Sequence, residues 1–188
     1  FIKEIIKKIK NKIEIQPFYL LSLLDNCNLQ KDCCENFILE KKKTDFKINF
    51  LKNKKIKLGY FSADFHNHAT MHLMAQIFAL HDKSRFEILA YSYGPDRQDE
   101  MRKKLLGAVD VFHDVREMND MQIVELSRAE KLDIAIDLKG FTQNVRLAPF
   151  AYGLAPVQIS YLGYPGTLGA EFIDYIVADP VVIPDDKR

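Results

Sequence analysis

A polar, histidine-rich turn holds the residues of this chain that are best suited to chemistry. An apolar run over Ile56–Ser62 predicts a buried strand, and the pattern over Ala69–Leu80 predicts a helix. Asp64, Asn67 and His68 fall on the turn between them. Because ligands of open α/β sheets usually bind at the carboxyl ends of strands, we expect this turn to belong to a functional site.

The residue type of His68 and its position in the chain allow two interpretations. Imidazole groups titrate close to cellular pH, so His68 could take up a proton while Asp64 orients the ring. Alternatively, Asp64 or Asn67 only caps the helix and His68 is a surface residue. The sequence alone leaves both open.

A metal site is a further alternative. His66, His68 and His72 have the spacing H-x-H-x3-H, and Asp64 adds a carboxylate nearby. Two histidines four apart on a helix can face one ion, which would fit a metal-dependent hydrolase. Equally, His72 could pack on the inner face of the helix as a core residue.

Strands and helices alternate from Ile56 onward, which predicts a parallel sheet covered on both faces, a Rossmann-like α/β lobe. The predicted strands are Ile56–Ser62, Phe86–Tyr93, Val109–Val115, Leu132–Leu138, Val157–Leu162 and Tyr175–Ala178. The predicted helices are Ala69–Leu80, Arg97–Leu106, Asn119–Glu130 and Arg146–Tyr152.

Two other strand ends carry polar or glycine-rich segments. The strand at Leu132–Leu138 runs into Lys139–Thr142, and the strand at Val157–Leu162 runs into Gly163–Ala170. In a parallel sheet these loops share one rim with the Asp64 turn. The glycines of the last segment allow a ligand to approach the backbone, although a plain structural turn is an alternative. The sequence has no G-x-G-x-x-G, Walker or G-x-S-x-G motif.

Residues 1–50 predict a small helical segment. Isoleucines recur at three- and four-residue intervals over Ile2–Ile13, which predicts a first helix. Pro17 suits the first turn of a second helix, over Phe18–Leu24. Asn28 is the expected cap of a third helix, which ends near Lys41. A lysine-rich linker follows at 41–55. We therefore place the domain boundary at 50/51, with the α/β lobe over 51–188.

Composition excludes several classes of protein. With 47% hydrophobic and 28% charged residues, the chain is neither disordered nor fibrous. No apolar run reaches the roughly 18 residues of a membrane helix, so we expect a cytoplasmic protein with no membrane partner.

Residues 1–57 hold 14 Lys or Arg against 7 Asp or Glu. Because these lysines alternate with isoleucines and no arginine cluster accompanies them, a solvated helix face explains them better than a nucleic-acid site. The three cysteines match neither a disulfide framework nor a zinc signature.

Three segments resemble one family. The turn Gly59–Leu73, the segment Asp137–Thr142 and the segment Ala155–Tyr175, above all Tyr161–Gly166, are similar to the O-linked N-acetylglucosamine transferase and SPINDLY family, which is glycosyltransferase family 41. The resemblance covers roughly residues 56–180. It departs from the family pattern at His66, where Gly is frequent, and at Ala69, where Pro is frequent.

The resemblance implies a GT-B enzyme, in which two Rossmann-like lobes face each other across a cleft, and this chain would be the first lobe. Family members transfer N-acetylglucosamine from UDP to Ser or Thr of proteins, with inversion and without an essential metal, and plant SPINDLY members use GDP-fucose. No cofactor is implied beyond the sugar-nucleotide donor. Because the chain begins with Phe1, we expect it to be part of a longer protein. The resemblance implies that this protein has a second lobe and tetratricopeptide repeats, and that the present chain is inactive alone.

The resemblance also implies roles for single residues. His68 matches the histidine proposed as the general base of the family, and Asp64 matches a nearby functional aspartate. The other matches lie around the sugar and the acceptor, and they are Asn67, Thr70, Leu162, Gly163, Tyr164 and Pro165. The leading prediction is therefore the acceptor-side half of a protein O-glycosyltransferase site. The alternatives are a noncatalytic protein-interaction module derived from this lobe and, more weakly, the metal-dependent hydrolase.

Overall fold

A computed structural model describes residues 1–38 and 53–185 of the chain. Its helices are α1 Ile2–Lys10, α2 Pro17–Leu21, α3 Cys27–Ile38, α4 Ala69–Leu80, α5 Glu100–Ala108, α6 Asp120–Ala129 and α7 Ala148–Tyr152. Its strands are β1 Ile56–Ser62, β2 Phe86–Ser92, β3 Val111–Asp114, β4 Ile134–Asp137, β5 Val157–Tyr161 and β6 Tyr175–Val177.

The strands form one parallel sheet in the order β3-β2-β1-β4-β5-β6. The chain therefore builds outward from β1 to β3, crosses back, and continues from β4 to β6 on the other side. The predicted α/β, Rossmann-like fold is confirmed. The order reverses between β1 and β4, so the loops after these two strands flank the switch point where ligands of such sheets bind.

Alternate side chains of the central strands enter two different cores, as expected for a sheet covered on both faces. Phe61 of β1 packs with the side chains of α6 and α7. Its neighbour Tyr60 points to the opposite face and packs with those of α4 and α5. Phe61 is stacked on Tyr91 of β2 with ring centroids 4.3 Å apart. Packing on both faces fixes the end of β1, and thereby the turn that follows it.

The helical segment packs on one edge of the lobe. Ile9, Leu20 and Cys33 form its small core, while Cys34 and Ile38 of α3 join the core of the lobe itself. The predicted cap of α3 is wrong, because the helix begins at Cys27 and the side chain of Asn26 accepts a hydrogen bond from the backbone N–H of Leu29 at 3.0 Å. The second helix also ends earlier than predicted, at Leu21.

Other element bounds differ from the predictions by a few residues. α5 begins at Glu100 rather than Arg97 because the Asp99 carboxylate accepts from the N–H of Arg102 and caps the helix there. β4 is shorter than predicted and ends at Asp137. The predicted boundary at 50/51 and most of the lysine-rich linker lie outside the described residues, so the boundary stays a prediction. In the part of the chain that the structure describes, no helix is both long and apolar enough to cross a bilayer.

Candidate active site

The turn after β1 is held by hydrogen bonds from a different helix. Arg102 of α5 is 2% exposed, and its Nε donates to the carbonyl of Phe65 at 2.6 Å. The Asp99 carboxylate accepts from the backbone N–H of Asn67 at 2.7 Å. Because Arg102 and Asp99 hold two successive parts of the turn, the positions of Asp64 and His68 depend on α5.

His68 itself begins α4. Its backbone is extended, with φ −147° and ψ 156°, and its Nδ1 accepts from the N–H of Thr70 at 3.2 Å. The alternative that Asp64 or Asn67 caps this helix is therefore wrong. Instead the imidazole serves as the cap, and 43% of its side chain remains exposed.

The turn after β4 brings a cation to Asp64. The buried Asp137 carboxylate accepts from the N–H groups of Lys139 and Gly140 at 3.1 and 2.7 Å, while burial raises its pKa to about 6. This turn directs the Lys139 side chain inward, where Nζ lies 2.5 Å from Oδ2 of Asp64. The Lys139 and Asp64 side chains are 4% and 8% exposed. Oδ2 of Asp64 also lies 3.5 Å from Nδ1 of His68.

The loop after β5 closes over the loop after β4. Gly163 has φ +72°, and a Cβ atom at this position would lie 2.5 Å from the carbonyl oxygen of Leu138 and 2.7 Å from that of Lys139. Only glycine combines this backbone conformation with such a close approach. Tyr164 then turns inward with 2% exposure, and its hydroxyl lies 3.5 Å from Sγ of Cys34. Burial raises the pKa of Tyr164.

These loops and the helical segment enclose a cleft of about 810 Å³. The side of the cleft formed by the lobe includes Asp64, His68, Thr70, Lys139 and Leu73. The opposite wall is contributed by the helical segment through Gln16, Phe18 and Tyr19. The amide of Gln16 ties the two sides together by donating to the carbonyl of Phe141 at 3.1 Å.

The structure brings most of the predicted site residues to this cleft. Those that line it are Asp64, His68, Thr70, Leu162 and Gly163. Tyr164 and Pro165 line a neighbouring cavity of about 460 Å³, which shares Leu162 and Gly163 with the cleft. Asn67 is exposed, and its side-chain oxygen lies 2.8 Å from Nε2 of His72. The binding roles of these residues stay predictions.

The three histidines of the turn do not converge on one point. His72 is exposed and bonds to Asn67, so it is neither a core residue nor directed at the cleft. The rings of His66 and His68 lie 5.8 Å apart. Among residues 1–38 and 53–185, no three His, Cys, Asp or Glu side chains are arranged to hold a metal ion. Within the described residues, the geometry gives the metal-dependent hydrolase no support.

Sequence reasoning missed Lys139, Phe18 and Tyr19 as residues of the cleft. Lys139 pairs with a residue 75 positions away, which no local pattern reveals. The sequence feature that could have identified Lys139 is its position directly after the apolar end of a strand. An unpaired cation is costly there, so a lysine at that position needs a partner. Phe18 and Tyr19 are 45% and 68% exposed. No sequence signal singles out these two aromatic residues, because their exposure is known only from the structure.

The site can bring a hydroxyl group against an imidazole. The Asp64 carboxylate contacts both the Lys139 ammonium and the His68 ring, and the exposed part of that ring faces the cleft. Such a ring can accept a proton from the hydroxyl or donate a hydrogen bond to its oxygen. The walls formed by Phe18, Tyr19 and Leu73 add apolar surface for a larger substrate.

Comparison with known proteins adds independent evidence. The family model described as "Glycosyl transferase family 41" matches residues 27–188. The "Probable UDP-N-acetylglucosamine--peptide N-acetylglucosaminyltransferase SEC" of Arabidopsis thaliana is 37% identical over 131 residues, which are 70% of this chain and 13% of that protein. The UDP-N-acetylglucosamine--peptide N-acetylglucosaminyltransferase of Caenorhabditis elegans is 36% identical over 132 residues, 70% of this chain and 12% of that protein. This chain therefore spans about an eighth of the length of these relatives.

A solved structure shares the fold. A mutant of the O-GlcNAc transferase of Thermobaculum terrenum superposes with a TM-score of 0.76 at 24% sequence identity, covering 87% of this chain and 32% of that one. The lobe with its helical segment thus corresponds to about a third of that chain.

Proposed function

Because this chain belongs to glycosyltransferase family 41, we propose that it supplies the acceptor-side half of the active site of a protein O-glycosyltransferase. The reaction is transfer of N-acetylglucosamine from UDP-N-acetylglucosamine to Ser or Thr of a protein, with inversion at the sugar carbon. The chain is the first lobe of a GT-B enzyme, and a second lobe of the same protein supplies most of the donor site.

The observation that carries the proposal is the cleft at the switch point of the sheet. His68 and Asp64 follow β1, Lys139 follows β4, and Leu162 with Gly163 follows β5, so three strand ends meet around one cavity. Relatives whose names describe peptide N-acetylglucosaminyltransferases match 70% of this chain. The position of the cleft and the names of the relatives support one function.

The residues of the cleft suit the acceptor side of such a reaction. An inverting transfer needs the acceptor hydroxyl on the face of the sugar opposite the leaving diphosphate, held by polar groups that fix its direction. We assign this to His68, with the Asp64 carboxylate beside its ring at 3.5 Å. Asn67, Thr70, Leu162, Gly163, Tyr164 and Pro165 are assigned to binding the substrates. The transfer is metal-independent and uses no cofactor.

The surroundings of the lobe follow from the same proposal. The full-length protein contains a second Rossmann-like lobe and tetratricopeptide repeats that present acceptor proteins, and it acts in the cytoplasm. The helical segment already forms one wall of the cleft through Gln16, Phe18 and Tyr19. Protein acceptors therefore approach along this wall.

The test is transfer of labelled sugar by the full-length protein. We expect incorporation from UDP-N-acetylglucosamine into Ser or Thr of an acceptor protein, undiminished by EDTA, and loss of at least about 100-fold in kcat for His68→Ala, the range of a lost acid–base or positioning group. His81→Ala is the matched control. His81 lies at the other end of α4 and bonds to Tyr60 at 2.8 Å outside the cleft.

Four results would contradict the proposal. Incorporation from GDP-fucose but not from UDP-N-acetylglucosamine would refute the donor, and loss of activity with EDTA that metal restores would refute the metal-independent mechanism. Full activity of the His68→Ala variant would refute the assignment of the cleft. Absence of transfer from either donor would favour a noncatalytic interaction module.

A further inference from the structure

Nδ1 of His68 has three polar neighbours. The hydroxyl of Thr70, at 3.2 Å, can donate or accept and fits either protonation state of Nδ1. The other two demand opposite states. The backbone N–H of Thr70, at 3.2 Å, can only donate, so this contact requires Nδ1 to accept. The carboxylate of Asp64, at 3.5 Å, accepts when ionised, so that contact requires Nδ1 to carry a hydrogen atom. Only one of the two contacts can be a hydrogen bond in the neutral ring.

Lys139 changes the balance between these contacts. Its Nζ lies 2.5 Å from the same oxygen, Oδ2 of Asp64, and the lysine side chain is only 4% exposed. The carboxylate oxygen is thus already bound to a cation in a site with little water, which weakens its attraction for an imidazole N–H. At 3.5 Å the carboxylate also lies beyond the usual N–H···O range, while the Thr70 contact is close to it.

We propose that Lys139 is a positioning residue that fixes the tautomer of His68, so that the neutral ring carries its hydrogen atom on Nε2. Thr70 and Asp64, which flank Nδ1, are both buried, at 6% exposure each. Because these two residues cover Nδ1, we assign the exposed part of the ring, which lines the cleft, to the Nε2 edge. There the ring donates a hydrogen bond to a substrate oxygen and does not accept a proton at Nε2.

This inference refines the proposed function and rests on it only for the identity of the substrate oxygen. In a glycosyltransferase site the oxygen belongs to the acceptor hydroxyl or to the sugar. The tautomer itself is a property of the free protein, so it can be measured without donor or acceptor. A failed activity assay and a failed tautomer prediction are therefore separate results.

The test is nitrogen-15 NMR of the full-length protein labelled at its histidine rings. Spectra are recorded at about pH 8.5, about two units above the ordinary imidazole pKa, so that the neutral form dominates. The His68 signals are identified by their loss in His68→Gln. We expect a pyrrole-type shift at Nε2 and a pyridine-type shift at Nδ1. The reverse pattern overturns the proposal, and the wild-type spectrum alone decides this.

Two variants test the part played by Lys139. In Lys139→Met the carboxylate loses its cation, and we expect both His68 shifts to move toward the opposite tautomer, with hydrogen on Nδ1. Lys139→Arg retains the charge and should keep the wild-type pattern. Unchanged His68 shifts in a folded Lys139→Met protein would overturn the assignment of Lys139 as the residue that fixes the tautomer.

Discussion

Lys139 and Asp64 form a buried ion pair that joins the loops after β4 and β1, with Nζ 2.5 Å from Oδ2. These strands are neighbours in the sheet, and the chain reverses its direction of growth between them. The pair thus lies at the point where the two halves of the lobe meet. Removing one partner leaves the other charge buried and unpaired. This lowers the free energy of unfolding far more than the intact pair raises it relative to apolar groups of the same size.

We expect Lys139→Met to lower the free energy of unfolding of the lobe by about 3 kcal/mol, because Asp64 is left unpaired. Hydrogen exchange of peptides from β1 and β4 measures this in the full-length protein. Lys103→Met is the control, since Lys103 and Glu100 are 2.8 Å apart but 64% and 80% exposed. The control should change exchange little. Equal effects of the two variants would show that burial of the Asp64 pair is energetically unimportant.

Gly163→Ala is expected to displace the loop after β5. The added methyl group would meet the carbonyl oxygens of Leu138 and Lys139 at under 3 Å, and the positive φ adds strain. We expect a lower melting temperature and loss of transfer activity. Gly107→Ala is the control, because Gly107 lies in α5 with no atom within 4 Å of its added Cβ. That variant should be neutral or more stable, since Ala favours a helix. Unchanged stability of Gly163→Ala would contradict the close approach of the loop after β5 to the loop after β4.

Arg102→Lys is expected to loosen the turn that holds Asp64 and His68. The Arg102 guanidinium donates to the carbonyl of Phe65 through Nε at 2.6 Å and to the hydroxyl of Ser92 through Nη2 at 3.3 Å. A lysine ammonium cannot reach both in the same geometry. Hydrogen exchange of peptides over 63–72 should rise and kcat should fall. Arg97→Lys, at an exposed position nearby, is the control. Unaltered exchange in Arg102→Lys would mean that α5 does not hold the turn.

Stability should fall as pH rises through the titration of Asp137. Burial raises its folded-state pKa to about 6, above the unfolded value of about 3.9. Between these values the unfolded chain releases its proton first, so the folded state loses stability from about pH 4 to about pH 6 and no more above that. In Asp137→Asn this part of the pH dependence of the melting temperature should disappear. If the melting temperature of Asp137→Asn falls with pH between about 4 and 6 as steeply as that of the wild type, Asp137 does not hold a proton in the folded protein in this range.

Local patterns predicted the fold well because its elements have local causes. The bounds of β1 and α4 agree with the prediction, since an apolar run and an apolar helix each begin and end at a clear change of residue type. The predicted cap of α3 lies two residues after the observed one, because Asn26 and Asn28 are equally good caps by type. Cys33 and Cys34 of this helix pack into two different cores, and no local pattern contains that packing.

The candidate site was predictable only in part, for a related reason. Asp64 and His68 lie on one turn, so their proximity follows from four residues of sequence separation. The contact of Lys139 with Asp64 depends on β1 and β4 being neighbours, which the order of strands along the chain does not dictate. The wall formed by Phe18 and Tyr19 depends on where the helical segment packs. The residue types were therefore sufficient to suggest the chemistry of the site. They were not sufficient to predict which distant segments of the chain come together there.

The last prediction concerns the apolar edge of the cleft and rests on the proposed function. Leu73 and Leu80 lie on the same helix and are 62% and 73% exposed, but only Leu73 lines the cleft. If a polypeptide acceptor lies along this edge, Leu73→Ser removes apolar contact worth about 1 kcal/mol, which raises KM for the acceptor protein about fivefold. KM for UDP-N-acetylglucosamine should stay unchanged, and Leu80→Ser should alter neither constant. Steady-state kinetics with both substrates varied measures this. An equal rise in KM for both substrates, or a matching effect of Leu80→Ser, would show that acceptors do not contact this edge.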